Sequence, residues 1–117
     1  MKVILDTNFL IDCIRFKIDL IELRGNELFV LDSIVFETEK ITKRGTKESS
    51  LARLALEFIN KNKIKVLKSR GVTDEALVNF SKQGYAIATN DRALRNKLKK
   101  EKAKLIYVRQ KRYLVDE

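Results

Sequence analysis

The chain has 117 residues, 44% hydrophobic and 35% charged, a balance that supports a packed core and excludes a disordered segment. It has no histidine and one cysteine, Cys13, which excludes a Ser–His–Asp triad, histidine-bound zinc and an internal disulfide framework. The formal charge of +9 implies an anionic partner, for which nucleic acid is the commonest candidate.

In chain order, Lys2 to Leu5 is a short apolar run that reads as a buried strand. Asp6-Thr7-Asn8 is a polar turn, and Phe9-Leu10-Ile11 opens a first helix that would bury Cys13 as a small hydrophobe. Asp19 to Arg24 reads as a second helical piece closed by Gly25-Asn26, and Glu27 to Leu31 as the next strand. Asp32-Ser33 is a start signal for a helix carrying Ile34, Val35, Glu37, Thr38 and Ile41. Thr42 to Ser50 is polar and contains glycine, so a loop is expected there. Leu51 to Asn60 has helical apolar spacing, and Ile64 to Leu67 begins a strand. A helix then starts at Thr73-Asp74-Glu75 and ends at Gln83-Gly84. Tyr85 to Ala88 is a strand, Thr89-Asn90-Asp91 a turn, Arg92 to Lys102 a basic helix and Lys104 to Val108 a last strand. This alternation predicts a three-layer α/β/α fold with a mostly parallel sheet, and residues 1–117 have the length of one domain.

The acids fall at equivalent places in this pattern. Asp6 follows the first strand, Glu37 lies in the helix after the second, Asp74 and Glu75 open a helix, and Asp91 follows the strand ending at Ala88. In a parallel sheet the C-terminal strand ends and the helix starts that follow them share one edge, where ligands bind. Singly, these acids are good helix caps or first-turn residues. Together in one cleft they would repel one another unless a hard cation such as Mg²⁺ or Mn²⁺ were bound. Glu39 and Glu57 read as solvated helix faces.

From Arg92 to Arg112 ten bases stand against the single acid Glu101. Arg92, Arg95, Lys97, Lys99 and Lys100 on one helix are the expected phosphate contacts for an RNA strand. Few apolar residues precede Asp6 and no run reaches about 18 apolar residues, so neither a leader nor a membrane helix is expected. A cytoplasmic location follows as an expectation.

Four segments together resemble the PIN-domain nucleases. Val3-Ile4-Leu5-Asp6-Thr7-Asn8-Phe9-Leu10 is similar to that family's first motif, Ile34-Val35-Phe36-Glu37 to its second, Thr73-Asp74-Glu75-Ala76-Leu77 to its third and Ala88-Thr89-Asn90-Asp91 to its fourth. The resemblance spans essentially the whole chain. It implies an endoribonuclease dependent on Mg²⁺ or Mn²⁺, with Asp6, Glu37, Asp74 or Glu75, and Asp91 as metal ligands and with Asn8 and Thr89 supporting them. Members often pair, so a homodimer is a further expectation. Thr38 stands where the family usually has leucine, and Asp74-Glu75 replaces the commoner pair of aspartates. The ending Ile106 to Leu114 resembles archaeal PIN proteins related to the endonucleases of small-subunit rRNA processing. Other relatives are ribonuclease toxins of toxin–antitoxin pairs, and a non-catalytic RNA-binding assembly module is the third alternative.

Overall fold

The computed structural model describes residues 1–23 and 25–117, the side chains of residues 21 and 22 excepted. Six strands form one sheet in the order β3-β2-β1-β4-β5-β6: β1 (Lys2–Leu5), β2 (Glu27–Leu31), β3 (Lys65–Leu67), β4 (Ala86–Ala88), β5 (Leu105–Arg109) and β6 (Tyr113–Asp116). The first five are parallel and β6 pairs antiparallel with β5. The interior strands have helices over both faces, which is why they read as unbroken apolar runs. Val3, Ile4, Leu5, Ile87 and Ala88 are all fully buried.

The helices are α1 (Thr7–Arg15), α2 (Asp32–Thr42), α3 (Lys47–Lys61), α4 (Thr73–Lys82) and α5 (Arg92–Lys100). α1, α2 and α3 pack on one another, and α4 packs on α5. The chain thus forms the expected three-layer α/β/α arrangement with a mostly parallel sheet. From β1 the chain moves outward to β2 and β3, then returns to β4 on β1's other side and continues to β5. The order reverses between β1 and β4, so a crevice opens beyond their C-terminal ends. Leu5 and Ala88 are register partners there, and Asp6 N–H donates to the Ala88 carbonyl at 2.9 Å.

The structure departs most from the sequence expectations at four places. The stretch expected as a loop from Thr42 to Ser50 is a loop only between α2 and α3, because α3 already begins at Lys47. Its polar start is stabilised by a capping box: Thr46 N–H donates to Ser49 Oγ at 3.0 Å, and Ser49, buried, passes its own proton to the Ile41 carbonyl at 2.9 Å. The second helical piece is a short 3-10 helix, Leu20–Leu23, and Arg24 lies outside the described residues. The basic helix stops at Lys100, because Lys102 takes left-handed backbone (φ 55°) and Ala103 N–H reaches back to the Leu98 carbonyl at 3.0 Å. Strand β6 was not expected. The run Tyr113-Leu114-Val115-Asp116 is too short and too polar at its ends to announce itself, and only pairing with β5 defines it.

Candidate active site

The turn after β1 places Asp6 as the N-cap of α1. Its Oδ1 accepts the Thr7 N–H at 2.9 Å and its Oδ2 accepts the Thr89 hydroxyl at 2.8 Å. Burial pushes the Asp6 carboxyl up from 3.8 to about 6, against the opposing pull of those two hydrogen bonds. The negative charges of Glu37 and Asp74 raise it further. The charges of acids on α2 and α4 are thus felt at Asp6, just beyond β1.

Thr89 is fully buried beyond the end of β4. Besides serving Asp6 its hydroxyl lies 3.3 Å from Asn8 Oδ1, and it accepts the Asp91 N–H at 3.2 Å. Asn8 Oδ1 also accepts the Asn90 N–H at 3.0 Å, so the turns after β1 and β4 are tied together by side chains on both. Asp91 caps α5, its Oδ1 accepting the Leu94 N–H at 3.1 Å. Asp91 thus lies beside Thr89.

Glu37 is exposed on α2. The next residue, Thr38, is fully buried: its hydroxyl donates to the Ile34 carbonyl at 2.7 Å and lies 3.4 Å from Thr7 Oγ1. Threonine in place of leucine is accommodated because its hydroxyl is satisfied within the helix. Ser33, one turn before Glu37 on the same side of α2, accepts the Thr73 hydroxyl at 3.0 Å. Ser69 bonds both Ser33 Oγ (3.2 Å) and Asp32 Oδ1 (2.6 Å). This polar cluster fastens the start of α4, where Asp74 sits, against the start of α2. The two third-motif candidates line one groove with Lys97 and Lys100; Asp74 is half-buried and its charge raises the Asp6 pKa, and Glu75 is exposed.

Two residues of the site carried no signal of their own in the sequence. Asn90 donates from Nδ2 to Asp12 Oδ2 at 2.9 Å and accepts the Val108 N–H on Oδ1 at 2.8 Å. Asp12 in turn pairs with Arg15, which reaches Glu48 on α3. The turn at residues 89–91 is thereby fixed to β5, α1 and α3.

Among the described residues no three Asp, Glu or Cys side chains stand close enough to hold a metal ion ready-made. The donor set nevertheless fits a hard divalent cation. Every candidate ligand is a carboxylate, and Asp6 is a half-buried acid whose ionisation is opposed by the charges of Glu37 and Asp74.

Arg92, Lys97, Lys99 and Lys100 are exposed on α5, as a phosphate-binding face requires. Arg95 differs. Its guanidinium lies 4.1 Å from the centroid of the Tyr107 ring, and its Nε is buried without a hydrogen-bond partner. It packs onto β5 rather than joining the open basic face. A cavity of about 750 Å³ lies elsewhere, lined by Cys13, Ile14, Asn26, Phe58 and others near the starts of β2 and β3. None of the candidate acids borders it.

The fold and this arrangement place the chain in a known class. It belongs to the PIN like domain family, which residues 3–111 match. It is 35% identical to the ribonuclease VapC4 of Methanocaldococcus jannaschii, over 96% of this chain and 93% of that protein. Among solved structures, a domain of a functionally unknown protein from the same organism superposes with a TM-score of 0.66 over 92% of this chain and 91% of that one. At 18% identity that last likeness is one of fold alone.

Proposed function

We propose that the chain is a cytoplasmic endoribonuclease that hydrolyses RNA phosphodiester bonds with Mg²⁺ or Mn²⁺. The observation that carries this reading is Asp6: a half-buried carboxylate at the sheet's reversal point, its pKa raised to about 6 by burial and further by the charges of Glu37 and Asp74. Asp6, Glu37 and Asp74 are the proposed ligands, with Asp91 beside them. A bound divalent ion would supply an activated water and stabilise the charge on the leaving oxygen. The chain's own part is orientation. Thr89 and the Thr7 amide hold both oxygens of Asp6, and the Asp32–Ser69–Ser33–Thr73 cluster fastens the start of α4, which carries Asp74, to the start of α2. Arg92, Lys97, Lys99 and Lys100 hold the phosphates of the strand.

The whole-length likeness to a ribonuclease supports this class of activity. Of the cellular roles, that of a ribonuclease toxin is better supported by that likeness than a part in rRNA processing, which rests on the ending Ile106 to Leu114 alone. Calorimetry with Mn²⁺ on the wild type, Asp6→Asn and Asp91→Asn tests the site, and cleavage of single-stranded RNA with and without chelator tests the activity. Binding lost in Asp6→Asn together with chelator-sensitive cleavage is expected. Cleavage that persists in excess chelator would sink the proposal.

A further inference from the structure

The proposed chemistry leaves one surface feature on α2 unused. Phe36 immediately precedes Glu37 and is 61% exposed, one of few large apolar side chains open to solvent. Successive residues on a helix are turned by about 100°, so Glu37, Ser33, Lys40 and Phe36 follow one another around the same side of α2. Ser33 marks that side as facing the start of α4, where Asp74 sits. Lys40 Nζ lies 4.6 Å from the centroid of the Phe36 ring, and exposed Lys43 and Arg44 follow at the end of the helix.

An aromatic ring with a cation over it, beside a cleft that would cut a polyanion, has the composition of one step of a single-stranded nucleic-acid platform. Bases stack on the ring while the cations meet the phosphates. A second copy of the chain fits this surface less well, because self-pairing would set Lys40, Lys43 and Arg44 against their own counterparts in a molecule of charge +9.

Resting on the nuclease reading above, we propose that Phe36 and Lys40 form a base-stacking subsite for the nucleotide of single-stranded RNA that flanks the bond to be cut. The ring takes the base and the ammonium takes the adjoining phosphate, so the strand is anchored at both sides of the acids, by α2 and by α5.

The chain has no tryptophan, so Phe36→Trp introduces a lone indole reporter at an exposed position. The probe is a single-stranded oligoribonucleotide in chelator, titrated in parallel with an abasic oligomer of equal length and charge. The expected result is quenching by the RNA and little by the abasic strand, with Phe36→Ala binding the RNA roughly tenfold more weakly than wild type. Equal quenching by both strands, unchanged affinity in Phe36→Ala, or no RNA binding would overturn the subsite. Emission that changes with protein concentration alone, with a doubled mass in light scattering, would assign the ring to a contact between copies instead. None of these readouts needs cleavage, so loss of the nuclease reading shows separately, as RNA left intact by the wild type in Mn²⁺.

Discussion

The Thr89 hydroxyl donates to Asp6 Oδ2 at 2.8 Å, joining residues 83 positions apart at the ends of two neighbouring strands. That bond lowers the cost of ionising a carboxylate that burial and two acids oppose. Thr89→Val keeps the shape but removes the donor. Its expected effects are a further rise of the Asp6 pKa and metal binding weakened by about tenfold, the scale of lost supporting contacts at metal sites. Thr89→Ser retains the hydroxyl and should stay close to wild type. Calorimetry on the two variants decides; equal behaviour would detach Thr89 from the site.

Asp6 also makes stability depend on pH in an unusual direction for an aspartate. Its carboxyl binds a proton more tightly in the folded chain (about 6) than at its ordinary value of 3.8. Its contribution therefore favours folding below about pH 3.8 and is lost as pH rises through about 6. Asp6→Asn should stabilise the metal-free protein at pH 7.5 by about 1–3 kcal/mol, a gain that shrinks towards pH 4. Denaturant melts across that range measure it. A destabilised variant at pH 7.5 would mean that the hydrogen bonds outweigh the burial.

Asp74 and Glu75 are adjacent in sequence but differently placed. Asp74→Asn is expected to lower metal-dependent RNA cleavage at least a hundredfold, by removing a charge that faces Asp6. Glu75→Gln should change it only a few-fold. The reverse ranking in single-turnover assays would move the third ligand to Glu75.

Lys17, Lys63 and Lys102 each close a helix with left-handed backbone, at φ 54°, 51° and 55°. The amides of Ile18, Ile64 and Ala103 then reach back five residues to Cys13, Ile59 and Leu98. After α4 the same turn uses Gly84, where no side chain resists. Lys63→Gly should raise stability by about 0.5–1 kcal/mol. Thermal melts of the single variant test this, and a fall in Tm would show that the lysine stem packs usefully.

The parts of this molecule that could be read from the sequence are those with a local cause. Val3 to Leu5 must be a central strand because nothing else accommodates so unbroken an apolar run, and Asp6 and Asp91 announce themselves as caps, which they are. The start of α3 was concealed because Ser49 is polar yet buried, and only the Ile41 carbonyl explains it. β6 was hidden because an edge strand is defined by its partner. At the site, the motif acids were visible, but the different burial of Asp74 and Glu75 depends on which side of α4 packs inward. Asn90 stood inside the fourth motif but its partners did not show, and Asp12 gave no warning, since each does its work through residues distant in the chain. Arg95 looked like one more surface cation and instead lies against Tyr107.

The binding of Asn90 to both Asp12 and the Val108 amide bears on how such a site could be transplanted. A designer who copied only the acids onto another parallel sheet would leave the turn at residues 89–91 free to drift. The smallest portable piece is three stretches moved together: the end of β1 with the first turns of α1, the turn after β4, and the backbone at Val108. Drift of the same turn within this protein would be expected to disturb Asp6, Thr89 and Asp91 at once.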